Sequence, residues 1–134
     1  MSAENVEVVG AFNEAYNAGG DAYLDFLAED VEVHPDASRF TEAKPFRGRE
    51  EYRSFIAALD EGWVGRATGE IKEIFPVGVD RVVCRMEWGG RGRASGIELR
   101  SNLTAICTIR DGKIAKLGFF FDHAQALEAA GLSE

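Results

Sequence analysis

The chain has 134 residues, 46% of them hydrophobic, which suits one globular domain over 1–134 with a single core. A formal net charge of -8 argues against nucleic-acid backbones as partners, because they select clustered positive surface. No apolar run reaches the ~18 residues of a membrane span, and Met1-Ser2-Ala3-Glu4-Asn5 lacks the basic and apolar regions of a signal peptide, so no membrane partner and a cytoplasmic location are expected.

Val6, Val9, Phe12 and Tyr16 recur at three- and four-residue steps and predict an amphipathic helix from about Ala3 to Ala18. Gly19-Gly20 stops it, and Asp21 is placed to cap a short second helix that turns Tyr23, Phe26 and Leu27 inward. Val31 and Val33 alternate with Glu32 in a strand that Pro35 ends. After an irregular stretch from Asp36 to Gly48, Tyr52, Phe55, Ile56 and Leu59 mark a third helix, Arg49 to Glu61. The strands that follow are Ala67–Pro76, Arg81–Trp88, Gly96–Arg110 and Lys113–Phe121, the last two joined by an Asp111-Gly112 turn. Asp122, with Gln125 three residues on, opens a short tail helix. Helices segregated from an antiparallel meander define an α+β class.

Five pieces in this order carry a resemblance. They are Tyr16-Asn17-Ala18-Gly19-Gly20-Asp21, Leu27-Ala28-Glu29-Asp30-Val31, Phe46-Arg47-Gly48-Arg49-Glu50, Asp111-Gly112-Lys113-Ile114 and Phe121-Asp122-His123-Ala124. Together they resemble the SnoaL-like domains of the NTF2-like superfamily, spread over nearly the whole chain. The resemblance implies a cystatin-like cone in which three N-terminal helices fill a strongly curved antiparallel sheet. It further implies an apolar pocket and a homodimer packed through the sheets. It does not imply one activity, since isomerases, cyclases, epoxide hydrolases and binding modules share the fold.

The working groups of those enzyme relatives do not map onto this chain. Aligned through the quoted pieces, Phe12 and Ala105 stand where ketosteroid isomerases keep an oxyanion-binding Tyr and Asp. Phe119 stands at the final-strand Asp of cyclases and hydrolases, and Arg81-Val82-Val83 lacks the carboxylate of an Arg-x-Asp pair. The remaining catalytic candidates are His34 as general base and Asp36 to orient it, with Arg39 to hold an anionic group. Alternation with the inward Val31 and Val33 sends His34 outward, unless a bulge near Pro35 turns it in.

Alternation also predicts the interior wall. Ile97, Leu99, Leu103, Ala105, Cys107 and Ile109 share one face of the long strand, while Ala115, Leu117, Phe119 and Phe121 face in from the last. Phe12, Leu103, Ala105, Leu117, Phe119 and Phe121 are then ligand-lining candidates, and Tyr16, Tyr52 and Trp63 would orient a polar end. Trp88-Gly89-Gly90-Arg91-Gly92-Arg93 reads as a flexible turn, Arg85 and Glu87 as an outer salt-bridge row, and His123 as a surface residue. Cys84 and Cys107 read as buried thiols. Two distant histidines and the lack of Cys-x-x-Cys spacing or a Gly-rich phosphate loop predict no metal and no cofactor. The leading expectation is an apolar cone that binds a small hydrophobic molecule. The alternatives are a proton-transferring isomerase or cyclase with His34 as base, and a non-catalytic dimerisation module.

Overall fold

The computed structural model describes residues 2–36 and 44–132; Arg39 lies outside them. The elements are α1 (Ser2–Asn17), a five-residue 3₁₀ helix (Ala22–Phe26), β1 (Leu27–His34), β2 (Phe46–Arg47) and α2 (Arg49–Asp60). They continue as β3 (Thr68–Val77), β4 (Arg81–Arg91), β5 (Glu98–Arg110), β6 (Lys113–Phe120) and α3 (His123–Ala129). The six strands form one sheet in the order β2-β1-β6-β5-β4-β3. The β3–β6 meander is antiparallel, as expected from the turns. β1 instead runs parallel to β6; β2 and α2 carry the chain from β1 to the far edge at β3, and the meander then brings β6 back beside β1.

Local chemistry explains most of these boundaries. Asp111 and Gly112 adopt φ of 54° and 75°, which the tight β5–β6 turn requires and this residue pair tolerates. The Asp122 carboxylate accepts from Gln125 N–H at 3.1 Å, as its capping role predicts. Asp21 does not cap the 3₁₀ helix; its carboxylate pairs with Arg53 at 3.0 Å instead.

Strand register decides the faces. Val82, Cys107, Leu117 and Val33 form one inward row across β4, β5, β6 and β1, and all four are buried. α1 covers this face at β3 and β4, and α2 at β1. Three expectations fail here. A bulge after Thr108 pairs Ile109 with Ile114, so Ile114 takes the core place expected for Ala115. Ile97 and Leu99 are 59% and 52% exposed, not interior. In register, Gly90 and Gly89 oppose Leu99 and Arg100, so no cross-strand side chain covers that end of the hairpin. Finally, Trp88-Gly89-Gly90-Arg91 is strand, not turn. A Cβ on Gly89 would lie 1.9 Å from the Leu99 carbonyl oxygen, so only glycine permits this backbone approach.

The outer face carries the polar row. Arg85 reaches Glu73 at 3.4 Å, and Lys72 reaches Glu87 at 3.9 Å. α3 also packs on this face. His123 Nδ1 lies 3.0 Å from the buried Thr104 hydroxyl, so His123 docks the helix and is not a free surface residue.

Candidate functional site

α1 is clamped to the sheet by polar side chains on its inner turns. Asn13 and Asn17 both donate to the Gly69 carbonyl, at 3.1 and 2.8 Å, and Asn17 Oδ1 accepts from Gly69 N–H at 3.0 Å. This holds Phe12 and Tyr16 over the concave face. At the other side Arg49 donates twice to the Leu27 carbonyl, at 2.9 and 2.6 Å, and fixes the start of α2 against β1. Tyr23 stands between the two helices, edge-on to Phe12, Tyr16 and Tyr52 with centroids 5.8–6.3 Å apart. Such contacts contribute about 0.5–1.5 kcal/mol each beyond area burial.

Arg66 ties the helix ends together, a role that no pattern in its sequence neighbourhood signals. It pairs with Asp60 at 3.1 Å and donates to the Tyr16 and Gly20 carbonyls at 3.3 and 2.9 Å. Its guanidinium also lies 5.2 Å from the ring centroids of both Tyr16 and Tyr23.

The concave face retains a cavity of two lobes that share Tyr16, Tyr52, Trp88, Leu103 and Phe119. The first lobe is completed by Pro35, Asp36, Phe55, Ile56, Leu59 and Phe121. Phe12, Ala105, Leu117 and both cysteines help line the second. Space open to the centres of water molecules is about 60 Å³ in one and 50 Å³ in the other. One water needs roughly 10–15 Å³ by that measure, so the cavity takes only a few atoms unless side chains change rotamer.

The polar groups at this cavity are few. Trp88 Nε1–H makes a long hydrogen bond, 3.4 Å, to the Tyr16 hydroxyl oxygen, which leaves the Tyr16 proton able to donate elsewhere. Burial raises the pKa of Tyr16 and holds that of Tyr52 well above the usual phenol value, so both remain protonated donors at neutral pH. Asp36, only 5% exposed, is the sole carboxylate lining either lobe among the described residues. Its Oδ2 accepts from Phe121 N–H at 2.6 Å, which joins the exit of β1 to the exit of β6. Burial pushes the Cys84 thiol up to about 12 and Cys107 higher still; both are free and un-ionised.

His34 lies on the other side of the sheet. It pairs in register with Gly118, and its Nε2 is 3.1 Å from Glu32 Oε2. The β1 alternation therefore holds to its last residue, as expected, and His34 and Asp36 line different hollows on opposite sides of the sheet. Trp63 lines neither lobe; it packs edge-on against Trp88 at 5.4 Å. Trp88 was readable from the Cys84-Met86-Trp88 alternation but was obscured by the glycines after it. Phe55, Ile56 and Leu59 were visible as a helix face, though not as cavity wall.

A curved sheet closed by helices around an apolar cavity is the NTF2-like, ketosteroid-isomerase-like architecture, and solved structures similar to this one share it. The model of the SnoaL-like domain matches residues 9–117, and the chain belongs to that family. TerC, co-crystallised with polyporic acid, is similar at 20% identity with a TM-score of 0.76, over 96% of this chain and 98% of that one. A hypothetical protein of Catenulispora acidiphila DSM 44928, in complex with trimethylamine, matches at 19% identity and TM-score 0.73, over 94% and 93% of the two chains. A Jannaschia sp. CCS1 protein, described as a SnoaL-like polyketide cyclase, matches at 21% and 0.72, over 100% and 95%. No curated protein matches the chain. Among the described residues no helix is long and apolar enough to cross a membrane.

Proposed function

We propose that the chain binds a small hydrophobic molecule in the cone, with one polar end directed at Asp36 or at the Tyr16 hydroxyl. The observation that carries this reading is a mostly apolar cavity interrupted by one buried carboxylate and the protonated phenols of Tyr16 and Tyr52. TerC and the Catenulispora protein, each solved with a small organic molecule, are in keeping with it. Thermal shift and calorimetry against small aromatic ketones, phenols and terpenoids test it. Stabilisation by apolar compounds, lost on Leu103→Trp, is expected; no stabilisation by any of them refutes it.

A second reading has its own support, the placement of Asp36. In an isomerase- or cyclase-type reaction Asp36 would take a proton from the carbon beside a carbonyl, and Tyr16 O–H would donate to the enolate oxygen that forms. Protonated Asp36 would then return the proton at a second carbon. This moves the base from His34, across the sheet, to Asp36. Asp36→Asn is expected to reduce turnover by about 10²–10⁴ with His34→Ala near wild type; the opposite pattern rejects the assignment.

The protein is further proposed to act as a cytoplasmic homodimer. The exposed Ile97 and Leu99 at the β4–β5 tip supply an apolar contact for a second copy. Light scattering should give twice the chain mass, and Ile97→Lys with Leu99→Lys should give the monomer.

A further inference from the structure

A hollow larger than either lobe of the cone cavity lies outside the cone. It lies on the opposite face of the sheet and offers about 290 Å³ to water centres, against 60 and 50 Å³ for the cavity lobes. That is near the lower end of the range for small-molecule sites, roughly 300–1,000 Å³. Two neighbouring register rows form it. Arg81, Thr108 and Lys116 stand side by side on β4, β5 and β6, and Ile106, Gly118 and His34 on β5, β6 and β1. Phe120, one step further along β6, and Ala129 of α3 complete the walls.

We propose that this hollow is a second binding site, one that takes a small aromatic carboxylate. Gly118 makes the floor. It occupies the middle of a central strand, where a side chain would ordinarily pack and where glycine costs stability. A Cβ built there meets nothing closer than Phe120 Cε1 at 3.7 Å, so the backbone does not demand glycine; the absent side chain leaves room. Ile106 and Phe120 give apolar walls for a ring. Arg81 and Lys116 bring two positive charges to one rim of a chain whose formal net charge is -8.

Arg81 is held in place by an Nη2 hydrogen bond to the Ala130 carbonyl at 3.1 Å, and it retains further N–H groups for a carboxylate. The nearest acid in register, Glu32, lies 3.1 Å from His34 Nε2 and 3.8 Å from Arg47. The His34 ring serves as a wall, and its enclosed Nε2 has no hydrogen-bond partner among the described residues. A neutral ring would gain only the apolar walls, and a bare inorganic anion only the two cations; an aromatic carboxylate gains both.

Benzoate, benzamide and sulfate, titrated onto the whole protein in its native assembly, separate these cases when side-chain methyls are followed by NMR. Benzoate is expected to shift the Ile106 methyls saturably and leave the Leu103 and Leu117 methyls of the cone unmoved. Benzamide and sulfate should bind at least tenfold more weakly. Lys116→Gln should weaken benzoate at least fivefold, and Gly118→Val should abolish its binding in a protein that keeps a dispersed spectrum. Should the valine variant not fold, Gly118→Ala should weaken binding about threefold. Equal binding of benzamide, shifts confined to the cone methyls, an unaffected Lys116→Gln, or outer faces closed between two copies with no benzoate effect would each overturn the proposal.

Discussion

Tyr23 illustrates how a residue can be indispensable in shape and unfavourable in one atom. Its ring is fully buried against three aromatic side chains, yet its hydroxyl is enclosed with no hydrogen-bond partner among the described residues. An enclosed, unmatched hydroxyl costs about 1–3 kcal/mol. Tyr23→Phe keeps the ring and the Arg66 contact, so chemical denaturation should show unchanged or higher stability, by up to about 1 kcal/mol. Arg66 is the opposite case, since every part of it is used. Arg66→Met would leave Asp60 and two carbonyls without their donor, and a loss of about 3 kcal/mol is expected in urea titration.

Elements here are held by their ends. The tail helix is seven residues long, too short to stand alone, and depends on its cap and its docking. Asp122→Ala should cost about 1 kcal/mol and loosen the helix first, visible as faster amide exchange in 123–130. Thr104→Val, which removes the hydroxyl that meets His123, should give a similar local opening. The β5–β6 pair shows why elements were easier to read than faces. Both strands and their Asp-Gly turn follow from residue pattern, whereas the bulge after Thr108 depends on how the pair fits the sheet twist.

At the scale of the whole molecule, buried acids that stay protonated make stability fall with alkaline pH. Tyr23 is raised to about 12 from near 10, and Cys84 to about 12 from near 9. As pH rises through 9 and 10 the unfolded chain releases these protons first, so it binds fewer protons than the native state and stability declines. The contribution is constant at neutral pH and below, and falls by about 1.4 kcal/mol per pH unit per group between the two pKa values. Under reducing conditions, urea midpoints should match at pH 6 and 8 and drop steeply by pH 10.5. A flat profile would mean these groups titrate normally.

What the residues alone determined is whatever rests on local pattern. Helical spacing located Tyr16 and Tyr52, strand alternation turned Leu103, Ala105, Leu117 and Phe119 inward and His34 outward, and turn chemistry ordered the meander. Five short pieces in sequence then sufficed for the family. The tertiary structure decided what depends on distant segments meeting. Asp36 reaches the cavity because the Phe121 amide, 85 residues away, holds its carboxylate. Arg66 matters because the ends of α1 and α2 and the Gly20 carbonyl between helices converge on it. His34, Lys116 and Arg81 come from three strands, and only the register of the sheet places them around Gly118. Alternation can say which way a side chain points; it carries no information about which other chain segment will be there to meet it.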